Sequence, residues 1–233
     1  MPKGLFSTTV VSLGLSIALG AQNKPAAPSD VYHVLFNKAA PGQAIALGDD
    51  LKKPDSTSSM PTHKVILRHQ EGDDWDYCVI EHAGTTATVK ITPPTPPAPN
   101  APPLSAWHSD TFVAGPSWAE FSQAMGLANP AQTVNSVYVV GTLRAVPGHR
   151  MQLNELLRRP EPSKVSIGHV VMEHLEGGPW QFFTIDRYNS WQDFATDRAA
   201  NAAATGTGKD GWSENRQHVA FHVDTLADRL LPR

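Results

Sequence analysis

The chain has 233 residues, 40% of them apolar and 18% charged, with a formal charge of −3. That length supports one large or two small domains, with a core taking up roughly 70% of the unfolded surface. The charge balance excludes a nucleic-acid or anionic-membrane partner, which would need a basic patch, and no run of Lys and Arg occurs.

Residues 1–20 have the pattern of a signal peptide: Lys3, then an uncharged apolar stretch from Leu5 to Leu19, with Ala18 and Gly20 before a cut at Ala21. The expectation is therefore a secreted or periplasmic protein, free of the membrane after cleavage, with residues 21–30 as a linker. Cys78 is the only cysteine, so no intramolecular disulfide can form, and in a strand it reads as a small buried apolar residue.

From Val31 onward the sequence repeats itself. Residues 31–54 align with 137–160, and nine of these 24 positions are identical, including Pro41-Gly42 against Pro147-Gly148 and Pro54 against Pro160. A second block pairs His69-Gln-Glu-Gly-Asp-Asp-Trp75 with His174-Leu-Glu-Gly-Gly-Pro-Trp180, and sets Glu81 against Asp186. A third pairs Ser117-Trp-Ala-Glu-Phe121 with Ser190-Trp-Gln-Asp-Phe194. These blocks read as an internal duplication.

Each block has a physical reading. The apolar, β-branched run at Val31, like that at Val137, predicts a strand, and the Pro-Gly that follows predicts a helix entry. Leu47 and Leu51, and Leu153, Leu156 and Leu157, recur at helical spacing until Pro54 and Pro160 end the helices. The second block predicts a hairpin through a Glu-Gly turn, with Trp75 and Trp180 as core anchors. The third predicts a helix capped by Ser117 or Ser190, burying Trp118, Phe121 and Met125 in one half and Trp191, Phe194 and Ala195 in the other.

Strand, helix, strand, strand, helix is most of a ferredoxin-like unit. A tandem pair of such units over about residues 31–226 resembles the dimeric α+β barrel superfamily. That superfamily includes cofactor-independent monooxygenases of the antibiotic-biosynthesis type, EthD-like proteins, stress-responsive barrel proteins and haem-binding chlorite dismutases. The resemblance implies an α+β fold of two βαββα(β) repeats packed as a pseudo-symmetric barrel within one chain. Residues 31–130 would form the first repeat, with a Pro-rich insertion at 84–106, and residues 131–233 the second, with a C-terminal tail. The partner sheet would come from the chain itself, so no obligate dimer is expected.

The halves differ in their closing element. The insertion ends in Trp107-His-Ser-Asp-Thr111 and the tail carries Phe221-His-Val-Asp-Thr225, one His-x-Asp-Thr before a second helix and one after it. The tail suits a strand, with His218, His222 and Asp224 on one face, or a helix capped by Ser213 with Val219, Val223, Leu226 and Leu230 inward. The helix is preferred because the apolar period continues to Leu230.

His222, Asp224, His108 and Asp110 are the candidate catalytic residues, as acid–base groups in a pocket between sheet and helices. On a helix, His218 and His222 would stand one turn apart, a weak metal-ligand spacing that lacks the glutamate of zinc-protease helices. For a haem reading, His169, His174 and His222 are available and nothing selects among them. His69 and His174 have ordinary structural roles at hairpin turns, and Glu81 and Asp186 read as strand-end carboxylates. No cofactor is assigned, and none is expected. Nucleophile-elbow, phosphate-loop and dinucleotide fingerprints are absent. The leading expectation is an exported small-molecule-binding barrel of cofactor-independent oxygenase or isomerase type. The alternatives are a non-catalytic exported binding or structural module, and a metal- or haem-binding protein.

Overall fold

A computed structural model describes residues 30–54, 58, 60–89, 103–128, 135–160, 163–205 and 211–232. The signal-peptide segment and the tract from Pro93 to Pro102 lie outside those residues. The elements in chain order are β1 (Asp30–Ala39), α1 (Ala44–Leu51), β2 (Lys64–Glu71), β3 (Tyr77–Thr85), β4 (Ser105–Gly115) and α2 (Trp118–Met125). They continue with β5 (Val137–Ala145), α3 (Arg150–Leu157), β6 (Ser166–His174), β7 (Phe182–Tyr188), α4 (Trp191–Ala204), α5 (Gly211–His218) and β8 (Val219–Leu231).

The strands close a barrel in the order β1-β3-β2-β8-β5-β7-β6-β4, and every pairing is antiparallel. A closed ring has no free sheet edge to satisfy elsewhere. Around β1 the order is β4-β1-β3-β2, and around β5 it is β8-β5-β7-β6. The displaced His-x-Asp-Thr segments thus supply the strands beside β1 and β5.

Alternation along each strand divides its residues between the barrel interior and the helix-covered exterior. Tyr32, Val34 and Phe36 of β1 point inward with Val65, Leu67, Cys78, Ile80, Val113, Tyr138, Val140, Val170, Met172, Phe183, Ile185 and Ala227, so all eight strands feed one filled core. Outside, α1 packs Leu47 on Ile66, Tyr77 and Val79, while α3 packs Leu153 on Leu143, Val171 and Phe182. The longer α4 sets Phe194 beside Val137, Val139 and Tyr188.

The second helix of the first half does something different. Ser117 caps α2 with a capping box, as its sequence predicts. Phe121 and Met125 of that helix join the barrel interior instead of an outer layer. Its carbonyls accept from groups at one barrel end: Tyr32 Oη to Pro116 O (2.8 Å), Tyr138 Oη to Met125 O (3.1 Å), Arg187 Nε to Ala124 O (2.8 Å) and Arg229 to Met125 O (3.0 Å). Helix α2 is therefore a plug across that end. Gly168 permits it, since a Cβ there would stand 2.0 Å from Ala124 O.

Two expectations are corrected. The tail is strand β8, not a helix, and α5 stops at His218 with Ser213 inside it. The strand wins because the tail fills the gap between β5 and β2, gaining ladder bonds on both sides. In the stripe expected of α4, Phe194 is half-buried, whereas Trp191 and Ala195 are exposed.

Candidate functional site

Register defines matched rows across the outer faces. In the first half one row runs Asp110–Leu35–Val79–Ile66, and in the second the corresponding row runs Asp224–Gly141–Thr184–Val171. Two apolar side chains in the first half face a glycine and a threonine in the second. A Cβ on Gly141 would come within 2.4 Å of Thr184 Oγ1 and 3.1 Å of Asp224 Oδ1. Only a bare Cα lets this hydroxyl and this carboxylate converge on the sheet surface.

Next to them His222 Nε2 bonds Asp224 Oδ1 at 2.8 Å. This dyad follows from β8 being a strand: residues two apart share a face, whereas a helix would separate them. His222 Nδ1 has no hydrogen-bond partner among the described residues, and the side chain is 29% exposed. The dyad thus offers one free ring nitrogen backed by a carboxylate, beside the Thr184 hydroxyl. Imidazole, carboxylate and hydroxyl together can take up a proton and steady an oxyanion.

The other two candidates lie elsewhere. His108 and Asp110 are on β4, which stands opposite β8 in the ring, so the two His-x-Asp-Thr segments do not converge. His108 is exposed. Asp110 lies 3.2 Å from His33 Nε2, and His33 Nδ1 is 3.5 Å from Glu81, which also pairs with Lys64 at 3.1 Å. Burial works against a charged His33, but its two carboxylate neighbours outweigh it and raise the imidazole above its ordinary value. Glu81 is also opposed by burial, and His33 and Lys64 hold it below the usual carboxylate range. This set is an interlocked ion cluster.

The metal and haem candidates are already engaged. His218 does not share a helical face with His222; its Nδ1 bonds His149 Nδ1 at 2.9 Å. His169 uses both ring nitrogens, Nδ1 on Asp186 at 2.5 Å and Nε2 on Leu157 O at 2.7 Å. Both ring nitrogens are thus committed, and the pair bridges neighbouring strands. His174 bonds Thr111 and Trp180 O and stacks on Trp180, the structural role its turn position implies. Among the described residues no group of three or more His, Cys, Asp or Glu side chains could hold a metal ion.

One cluster escaped the sequence reading. At the plugged end, His63 Nδ1 and His82 Nδ1 lie 3.0 Å apart, and His82 Nε2 is 3.0 Å from Asp30 Oδ2. The second contact is close but lies off the line of the ring N–H, so it acts as a charge contact more than a hydrogen bond. Asp30 Oδ2 also accepts from Trp118 N at 2.8 Å, and His63 stacks on the Trp118 ring at 4.2 Å. The carboxylate sits at one nitrogen of His82 and His63 at the other, so the three do not surround a common point. The signal was hairpin register: pairing Lys64 with Glu81 sets residues 63 and 82 opposite each other.

The barrel with helices on its outside defines a mixed α+β barrel protein. No protein-family model matches the sequence, and no curated protein matches it. Solved structures do share the fold. One is an anthrone oxidase-like protein, with a TM-score of 0.54 at 10% identity over 87% of this chain and 92% of that one. Another is a monooxygenase-like protein from Fusobacterium nucleatum, with a TM-score of 0.52 at 8% identity over 87% of this chain and 93% of that one. At such identities the likeness establishes a shared α+β barrel fold.

Proposed function

We propose that this chain is a small-molecule-binding acid–base enzyme of cofactor-independent oxygenase or isomerase type. Its proton-handling groups are His222, Asp224 and Thr184 on the outer face of the second half. The observation that carries the reading is the Gly141–Thr184 exchange for Leu35–Val79 at matched register, which sets a bare Cα and a hydroxyl beside Asp224 where the first half has two apolar side chains beside Asp110. His222 Nδ1 takes a proton from a carbon or oxygen acid, Asp224 steadies the resulting imidazolium through Nε2–H, and the Thr184 hydroxyl donates to the oxygen on which charge develops. An isomerase returns the proton to another atom of the substrate. An oxygenase lets the substrate anion pass electrons to dioxygen. The names of the fold neighbours support trying anthrone-type carbon acids first.

The same reading takes residues 31–130 and 131–233 as a duplicated ferredoxin-like unit whose halves supply each other's partner sheet, supported by the matched rows. It also takes the protein to be exported, with mature material beginning at Ala21 on N-terminal sequencing.

The test is oxygen uptake and solvent-deuterium incorporation with anthrone-type substrates, using wild type, His222→Gln and the double variant Gly141→Leu/Thr184→Val. General acid–base loss in His222→Gln should cost about 10²–10⁴-fold. The double variant copies the first half's apolar pair and should fold yet lose binding. Wild type that neither binds, exchanges nor consumes oxygen would leave the non-catalytic module as the better account. The filled barrel interior is the observation that favours this second reading.

A further inference from the structure

We propose that Asp30, His82 and His63 form an acid-sensitive latch that holds the N-terminal end of α2 across the barrel mouth. The proposal rests on which contacts fasten each end of that helix. At its C-terminal end the fastenings are Arg187, Arg229 and Tyr138 on the carbonyls of Ala124 and Met125, none of which changes charge between pH 5 and 8. At its N-terminal end they are the Trp118 N–H on Asp30, the stack of Trp118 on His63 and His82, and the Tyr32 hydroxyl on Pro116 O just before the helix. His82 joins the first two anchors, with Asp30 at one nitrogen and His63 at the other.

The joint tolerates a limited number of protons. Two Nδ1 atoms 3.0 Å apart can share one hydrogen, so one ring donates and the other accepts through its lone pair. One added proton is still accommodated, because a charged ring can donate to a neutral one. A second puts N–H against N–H and charge against charge, and the contact cannot survive. The other charged or titratable groups about this joint are Asp30 and Tyr32 on β1 and Glu120 on α2. Glu120 is committed to the capping box with Ser117, and Tyr32 donates to Pro116 O.

The protonation balance has the same sign. Burial lowers His82 below its ordinary value against the pull of Asp30, and burial together with His82 lowers His63. A histidine depressed in the folded state favours the closed helix above about pH 6.5 and withdraws that support as pH falls toward the folded value. On acidification the N-terminal turn of α2 should lift while the arginine-held end acts as hinge. Phe121 and the barrel interior beneath it would then become accessible.

Hydrogen exchange of the full-length protein between pH 8 and 5, corrected for intrinsic rates, tests this. Amides of residues 118–125 should lose protection by about tenfold per pH unit below the transition when each opening takes up one proton. Amides of β6 and β7 should not change. His63→Phe keeps a ring on Trp118 and removes one of the two titrating imidazoles, so its α2 protection should fall clearly less with pH than that of wild type. If that variant does not fold, His63→Gln carries the same test. Unchanged protection of α2 at pH 5 in wild type, or an equal loss in the His63 variant, would overturn the latch.

Discussion

Helix α2 as a barrel plug has a measurable energetic signature. Phe121 and Phe194 occupy the same place in matched Ser-Trp-x-acid-Phe segments, so equal surroundings would make their truncations cost the same. Phe121 is fully buried among Tyr32, Trp118 and the barrel interior, whereas Phe194 is half-buried on the outside against Tyr188. Phe121→Ala should therefore destabilise by about 3–5 kcal/mol, the range for a fully buried phenylalanine. Phe194→Ala removes less buried area and should cost about 1–2 kcal/mol. With a urea dependence of about 2–3 kcal/mol per molar, the first variant should unfold about 1–2.5 M earlier and the second about 0.3–1 M earlier. Equilibrium urea titration followed by far-UV circular dichroism measures both. Equal losses, or a Phe121→Ala cost below about 1 kcal/mol, would refute the plug.

Two further predictions bear on the helices. Gly168→Ala drives a methyl into the Ala124 carbonyl, so α2 should detach or β6 shift, read as a lower Tm and faster exchange in α2. Asp197 is buried on α4 and accepts from Tyr188 Oη at 3.0 Å and from Asn201 at 3.1 Å. Burial disfavours its charge, but hydrogen bonds from Ser163, Arg198 and Tyr188 outweigh that and hold the carboxyl below its usual range. Its contribution is therefore complete above about pH 4 and is lost as pH falls through the lower folded value. Wild type should lose more stability between pH 4 and 2 than Asp197→Ala, which should itself be about 1–3 kcal/mol less stable at pH 7.

The duplicated blocks made most of the architecture legible, because strand alternation, Pro-Gly helix entries and serine caps are local signals. Strands β1 and β5, two hairpins and the starts of α2 and α4 can be read this way. What stayed hidden depended on partners distant in sequence. The tail from Val219 satisfies both a helical stripe and an alternating strand, and the vacancy between β2 and β5 settles it. Nothing local distinguishes a plug from an outer helix, since Phe121 and Phe194 sit in the same motif. At the candidate site, the sequence singles out His222 and Asp224 but not the glycine and threonine that set them apart. Their meaning appears only when register aligns Gly141 with Leu35. His108 and Asp110 shared the motif, yet β4 carries them to the far side of the ring.

Strand β8 also bears on the order in which the molecule can be made. Its thirteen residues, Val219–Leu231, pair with β5 of the second half and with β2 of the first. Ile66 meets Leu231, so a contact that closes the ring spans most of the chain. A ribosome delivering the protein from its N-terminus releases this strand after the other seven. Until then β2 and β5 both present open edges, and the other seven strands can form only one open sheet instead of a barrel. Closure thus waits on a step of high contact order, and the barrel cannot be completed before β8 is available to both β2 and β5.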